Sequence, residues 1–381
     1  MTTIRPYLHA FLLLTAMLFG ISTTLVARAD NFEIKNIQRT VKRSDSPSSV
    51  LNFPVVNGQN QTAANRINHA MLESLFGDGW LGSNMVPPIN PKDYLKVVPE
   101  DDLFRLGYLE YRILRNDNSV FSIKFDFEGC GAYCEHSDLP LAFDATTGRR
   151  LQSMDLFSAA GRKALFRTIK TQNQAAIRKQ LALSQRAKPT KNRTQDELDQ
   201  ATSMYQSCLQ ESSYDYTGAM HFLSDAIVFI HGRCSNHAML ALDDLGDLRN
   251  RFTYERLSPW LTAYARALLL GEGAGGQPTW PFGQVFHGTM GDKTPITMYL
   301  RDRDDDITDK YSAVSGHYFY DRYRKPIALN GNWSNGKLSM KESDGDKPPH
   351  ATITLIVNPN GLQGEWKSID GKKTLRVKFE P

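Results

Sequence analysis

The chain has 381 residues, a formal net charge of +4, 41% apolar residues and 23% charged residues, which is length for two domains and apolar content enough to fill their cores. A balance this close to neutral argues against a dedicated nucleic-acid binder, which would carry a clustered basic face. Beyond residue 30 no stretch is apolar over the roughly 20 residues that a helix needs to cross a bilayer.

The N-terminus carries the strongest signal. Arg5 supplies a short basic start, residues 10–26 are almost entirely apolar, and Ala27-Arg28-Ala29 offers small residues at both recognition positions. That order is a secretory signal peptide, so 1–29 is expected to be removed. The competing reading, a retained anchor, has a rather short apolar run. Cleavage removes Arg5 and Arg28 and no acid, lowering the charge to about +2 and leaving roughly 350 residues. The mature protein is then expected outside the cytosol, periplasmic or secreted, with no membrane span. In such a compartment Cys130, Cys134, Cys208 and Cys234 favour disulfides. Three pairings are possible; the preferred one closes Cys130–Cys134 as a local clamp and Cys208–Cys234 as a longer staple.

Residues 32–41 alternate Phe32, Ile34 and Ile37 with polar neighbours, a strand pattern, and 51–58 is extended up to a turn. Residues 61–76 put Ala64, Ile67, Met71 and Leu75 on one helical stripe, stopped by Gly77 and Gly79. Alternation returns over 105–127, with Asn116-Asp117-Asn118 as the turn of a hairpin, and 139–143 is a third strand. Helical character follows over 158–183 and 194–209. Next come short strands at 218–223 and 227–231, an apolar run at 238–242 and a last helix over 254–270. The glycine-rich start of 271–290 reads as a linker. From 291 to 381 the pairs Ile296/Met298, Tyr318/Tyr320, Ile327/Leu329, Leu338/Met340, Ile353/Leu355 and Leu375/Val377 alternate. Asn335-Gly336, Asp344-Gly345, Asn360-Gly361 and Asp370-Gly371 are hairpin turn signals between them. About seven short strands are expected, curled or closed as a barrel. The fold class is thus an α+β domain at 30–270, an antiparallel sheet with helices, followed by a small all-β antiparallel meander or barrel.

Few constellations point to catalysis. Cys130, Cys134 and His136, and again His231, Cys234 and His237, are zinc-ligand types, but neither spacing is a zinc pattern and export favours oxidation. The acids Asp302, Asp304, Asp305, Asp306 and Asp309 lack the glycine of a calcium loop and compete with Arg301 and Arg303. No nucleophile elbow, zinc-protease helix or phosphate loop is present. Ser312, Ser315 and His317 lack a convincing acid, and Asp243-Asp244 reads as a turn. No catalytic residue, metal or cofactor is therefore expected. The aromatics Tyr299, Tyr311, Tyr318, Phe319, Tyr320, Tyr323, Trp333 and Trp366 are expected mainly in packing, with an exposed partner-binding face as the alternative.

The order of 111–116, 119–127, Gly131-Ala132-Tyr133, Phe143-Asp144-x-x-Thr147-Gly148 and Asp155-Leu156-Phe157 resembles the exported domain of the RsiV type (DUF3298, often after a DUF4163-like segment). The resemblance covers roughly 32–270. It implies an α/β fold and a role near the cell wall, since members include the lysozyme-binding extracellular part of an anti-sigma factor and an accessory domain of a peptidoglycan deacetylase. This chain departs from them. It has no span joined to a sigma-binding segment and no deacetylase domain, and it adds the four cysteines and the C-terminal β domain.

The function expected is a periplasmic envelope protein that binds without catalysis. Its partner would be a lysozyme-like hydrolase or wall material, occluded by the cysteine loop with Tyr133, Glu135 and His136 exposed. The alternatives are a wall-directed hydrolase or metal-dependent enzyme, and a structural envelope component.

Overall fold

A computed structural model describes residues 32–42, 48–77, 103, 106–130, 134–211, 218–278, 280–302, 312–323, 325–343, 348–358 and 361–380. The leader, Tyr133, Tyr311, the acidic run 303–309 and the Asp344-Gly345 turn lie outside the described residues.

Strands β1 (Glu33–Val41) and β2 (Ser49–Asn57) form an antiparallel hairpin. Helix α1 (Gln61–Phe76) follows, with the Asn60 side chain accepting from the Ala63 N–H at 3.1 Å. Its stripe of Ala63, Ala64, Ile67, Ala70 and Met71 is buried against Phe53, Val55, Phe121 and Phe125 of the sheet. Strands β3 (Leu106–Asn116), β4 (Val120–Cys130) and β5 (Cys134–Asp144) complete the order β1-β2-β3-β4-β5. One join departs from the antiparallel expectation: β2 and β3 pair in parallel. The cause is α1 between them, a helical connection of the kind that parallel neighbours need.

A second layer packs on this sheet. The long helix Ala159–Arg186, capped by Ser158, lies against the helix Gln195–Glu211. Strands β6 (Ala219–Phe222), β7 (Ala226–His231) and β8 (Leu248–Thr253) form a separate antiparallel sheet. The single helix expected over 254–270 is broken into Tyr254–Leu257, a 3-10 turn Ser258–Trp260 and Ala263–Leu270. Pro259 cannot donate to a continuing helix. Leu261 is extended and bridges Phe157, and Thr262 restarts the helix by accepting from the Ala265 N–H.

The C-terminal domain is a closed antiparallel barrel of strands β9 (Val285–Met290), β10 (Thr294–Asp302), β11 (Ser312–Tyr320), β12 (Ile327–Ser334), β13 (Lys337–Ser343), β14 (Ala351–Asn358), β15 (Gly361–Ser368) and β16 (Thr374–Glu380). Closure comes from β16 pairing with β9, Val377 opposite Met290. The first strand therefore lies inside 271–290, the stretch expected as linker. Four inward positions, Gly288, Gly316, Gly331 and Gly364, sit where adjacent strands crowd together. A Cβ at Gly364 would lie 1.9 Å from the Thr354 carbonyl oxygen, so a side chain there would hold the curling sheet open. Trp280, Phe282 and Trp333 pack at one end, with Trp280 and Trp333 ring centroids 5.5 Å apart. Toward the other, the Tyr318 hydroxyl and the Trp366 indole N–H both donate to Glu342 Oε1 at 2.6 Å.

The two domains share a packed boundary. Phe319, outward on β11, belongs to the core of the five-stranded sheet. Glu73 of α1 lies 3.7 Å from His317 and 3.4 Å from Arg301. Met154 in turn joins the barrel core.

Candidate functional site

The β4–β5 hairpin runs in unbroken register from Val120 opposite Asp144 to Cys130 opposite Cys134. Cys134 is disulfide-bonded, and Cys208 pairs with Cys234 at a sequence separation of 26. The second bridge removes Cys234 as a thiolate, which disposes of the His231/Cys234/His237 metal arrangement. Among the described residues no group of three metal-ligating side chains gathers.

Side chains alternate along a strand, so the adjacent Glu135 and His136 leave the hairpin on opposite sides. Glu135 meets Arg233 at 3.1 Å, joining the hairpin end to the segment that carries Cys234. His136 is 61% exposed. Its Nδ1 is hydrogen-bonded to the Tyr108 hydroxyl and its ring stacks on Tyr108 at 5.9 Å. Cross-strand register places Glu110, Arg112, Lys124, Asp126, Glu128 and Asp138 on this same side. Lys124 bonds Asp126 and lies 3.7 Å from Asp138. His136 lies 3.9 Å from Asp126, and His221 of β6 is 3.9 Å from Asp138.

Burial, then the charges of Asp126, Glu128 and Glu110, push the Tyr108 phenol up, so it stays protonated and able to donate. Burial pulls the His221 imidazole down to about 4 despite the nearby Asp138. The result is a fixed polar plateau of aromatic, imidazole and carboxylate groups.

Of the residues that the sequence singles out, His136 stands on this plateau and Glu135 leaves on the opposite side, while Tyr108, Asp126 and Asp138 join the plateau without having been singled out. The even-numbered positions of 120–130 and the pairing across Asn116-Asp117-Asn118 were the available signal. The barrel aromatics mostly go to packing: Tyr318 and Trp333 are 1% and 5% exposed, while Tyr323 is 67% exposed.

The residues of the Phe-Asp-x-x-Thr-Gly turn are architectural. Asp144 Oδ1 accepts from the Thr146 and Thr147 N–H groups, and Asp144 Oδ2 accepts from the Tyr264 hydroxyl at 2.8 Å. Gly148 has φ of 73°, in the left-handed region that glycine tolerates. Arg149 then reaches Asp155.

The sequence matches no family model and no curated protein. In structure the chain is similar to the crystal structure of a DUF3298-family member from Bacteroides fragilis, with a TM-score of 0.41 and 15% identity over 64% of this chain and 99% of that one. It is also similar to a DUF3298-family protein from Pseudomonas aeruginosa, with a TM-score of 0.38 and 11% identity over 62% of this chain and 96% of that one. Both come from the family that the hairpin and turn residues resemble.

Proposed function

We propose that this chain is an exported, non-catalytic binding protein of the bacterial envelope. It holds a protein partner, a lysozyme-like cell-wall hydrolase being the first candidate, on the polar plateau at the cysteine end of the β4–β5 hairpin. The observation that carries the reading is the pre-set His136: exposed, stacked on Tyr108 and bonded to its hydroxyl, on a hairpin end held by the Glu135–Arg233 ion pair. A surface fixed before encounter loses little conformational freedom on binding. Acids outnumber bases there, Glu110, Asp126, Glu128 and Asp138 against Arg112 and Lys124, which suits a basic partner and speeds its approach at low salt. The Cys208–Cys234 bridge is in keeping with an oxidising compartment.

The test is a binding and inhibition titration of the purified protein, cleaved after Ala29, against a panel of lysozymes degrading cell walls. A stoichiometric complex that weakens at least tenfold in His136→Ala and in Asp126→Asn supports the reading. No complex and no inhibition across the panel removes the lysozyme partner, and a complex unaffected by both substitutions removes the plateau.

A further inference from the structure

A cavity of about 360 Å³ lies between the domains, walled by α1, the Thr147–Arg149 turn, residues 276–278 and 280–281, and one end of the barrel. That volume falls in the range of small-molecule sites, roughly 300–1,000 Å³, and domain boundaries and barrel mouths are where such sites gather. Its apolar end is Trp280, Phe286, Val357 and Leu362. Among the described residues, no aspartate or glutamate lines it.

The polar end is cationic. Arg66 is half-buried, and its Nη1 donates to the Thr147 carbonyl at 3.0 Å. No carboxylate of a described residue pairs with it, and burial alone pulls its guanidinium below the ordinary value. A guanidinium carries five N–H donors in a planar fork, so most of Arg66 has no acceptor among the described residues. Arg149 lines the same cavity and is 3% exposed, with Nη1 on the Trp280 carbonyl and Nη2 on Asp155. Its Nε has no hydrogen-bond partner. A desolvated cation without a counter-charge is unfavourable, and a bound anion relieves it.

We infer that this cavity binds a small organic carboxylate, its charged end on Arg66 and its apolar or ring end against Trp280 at the barrel mouth. The charge count selects a monoanion, because Arg149 is already neutralised by Asp155 and only the Arg66 charge is open. The apolar end calls for an organic body, which inorganic phosphate lacks. This site is separate from the hairpin plateau and does not depend on that reading.

The probe is 4-fluorobenzoate, followed by fluorine NMR on the full mature chain. Saturable broadening is expected, with affinity falling at least tenfold in Arg66→Gln and less in Arg66→Lys, which keeps charge but not the planar fork. Val357→Trp, at the half-buried rim, fills the apolar end and abolishes binding without touching α1. It stands as the independent test should Arg66→Gln fold poorly. Absence of saturable binding overturns the inference. So does equal binding of uncharged 4-fluorobenzyl alcohol, equal competition by inorganic phosphate, or unchanged affinity in Arg66→Gln or Val357→Trp.

Discussion

Arg149 Nη2 and Asp155 Oδ1 meet at 2.7 Å with side chains only 3% and 0% exposed. The same guanidinium reaches the Trp280 carbonyl at 2.8 Å, so one buried pair joins the turn after β5, the short helix Ser153–Leu156 and the approach to the barrel. Removing one member of such a pair strands the other charge away from water.

Arg149→Met is accordingly expected to cost about 3–5 kcal/mol. The double variant Arg149→Met/Asp155→Leu should recover much of that loss. Urea unfolding of the two variants side by side makes the comparison, and a double variant no more stable than the single one contradicts it.

Gly148 and Gly371 share nearly the same backbone, φ 73° and 71°, in different surroundings. A Cβ at Gly148 would sit 2.5 Å from the Ala63 carbonyl oxygen, whereas at Gly371 the nearest atom, Lys367 Cε, is 3.9 Å away. Gly371→Ala should therefore show only the left-handed penalty of about 1–2 kcal/mol. Gly148→Ala should add roughly 1–3 kcal/mol of overpacking. Equal melting temperatures for the two variants would count against that difference.

The Cys208–Cys234 bridge closes a loop with a sequence separation of 26, for which restriction of the unfolded chain gives roughly 3 kcal/mol. Paired Cys208→Ser/Cys234→Ser substitution should lower stability by about that amount. The helix Gln195–Glu211 is expected to lose amide-exchange protection first. Uniform loss of protection across both domains would point elsewhere.

Two buried histidines set an acid limit. Burial holds His69 and His221 down to about 4 in the folded chain, while in the unfolded chain they protonate near the ordinary value of about 6.5. Protons therefore favour the unfolded state between those values. The stability associated with the neutral rings is complete above about pH 6.5 and is lost as pH falls toward 4, on the order of 2–3 kcal/mol for each ring. Urea midpoints at pH 7 and pH 5 should differ less in His221→Gln than in the parent.

Inside the barrel, Glu342→Leu leaves the Tyr318 hydroxyl and the Trp366 N–H without their shared acceptor. A cost of about 2–3 kcal/mol is expected. Glu342→Gln keeps an oxygen in place and should cost about 1 kcal/mol or less. Barrel stability that ranks the two variants the other way would contradict this account.

What could be read from the chain depended on how local its signal was. Asn335 and Gly336 take φ of 50° and 79°, the two positive values of a hairpin turn that Asn-Gly announces. Strands with three apolar inward residues, such as Ile353, Leu355 and Val357, were legible. Strands β9 and β15 were not, because their inward triplets are Phe286-Gly288-Met290 and Leu362-Gly364-Trp366, and the central glycine interrupts the alternation. The plateau was half legible for a different reason. His136 lies two residues after Cys134 in the sequence, but Tyr108 and Asp126 reach His136 only through strand register.

Because β16 closes the ring on β9, the barrel needs its final 7-residue strand to finish. A chain emerging with its N-terminus first holds seven strands as an open ribbon until residues 374–380 arrive. During that interval β9 and β15 are raw edges able to capture strands from other molecules. Late arrival thus makes the interval before ring closure the riskiest moment for aggregation, and truncation before Thr374 would make that exposure permanent.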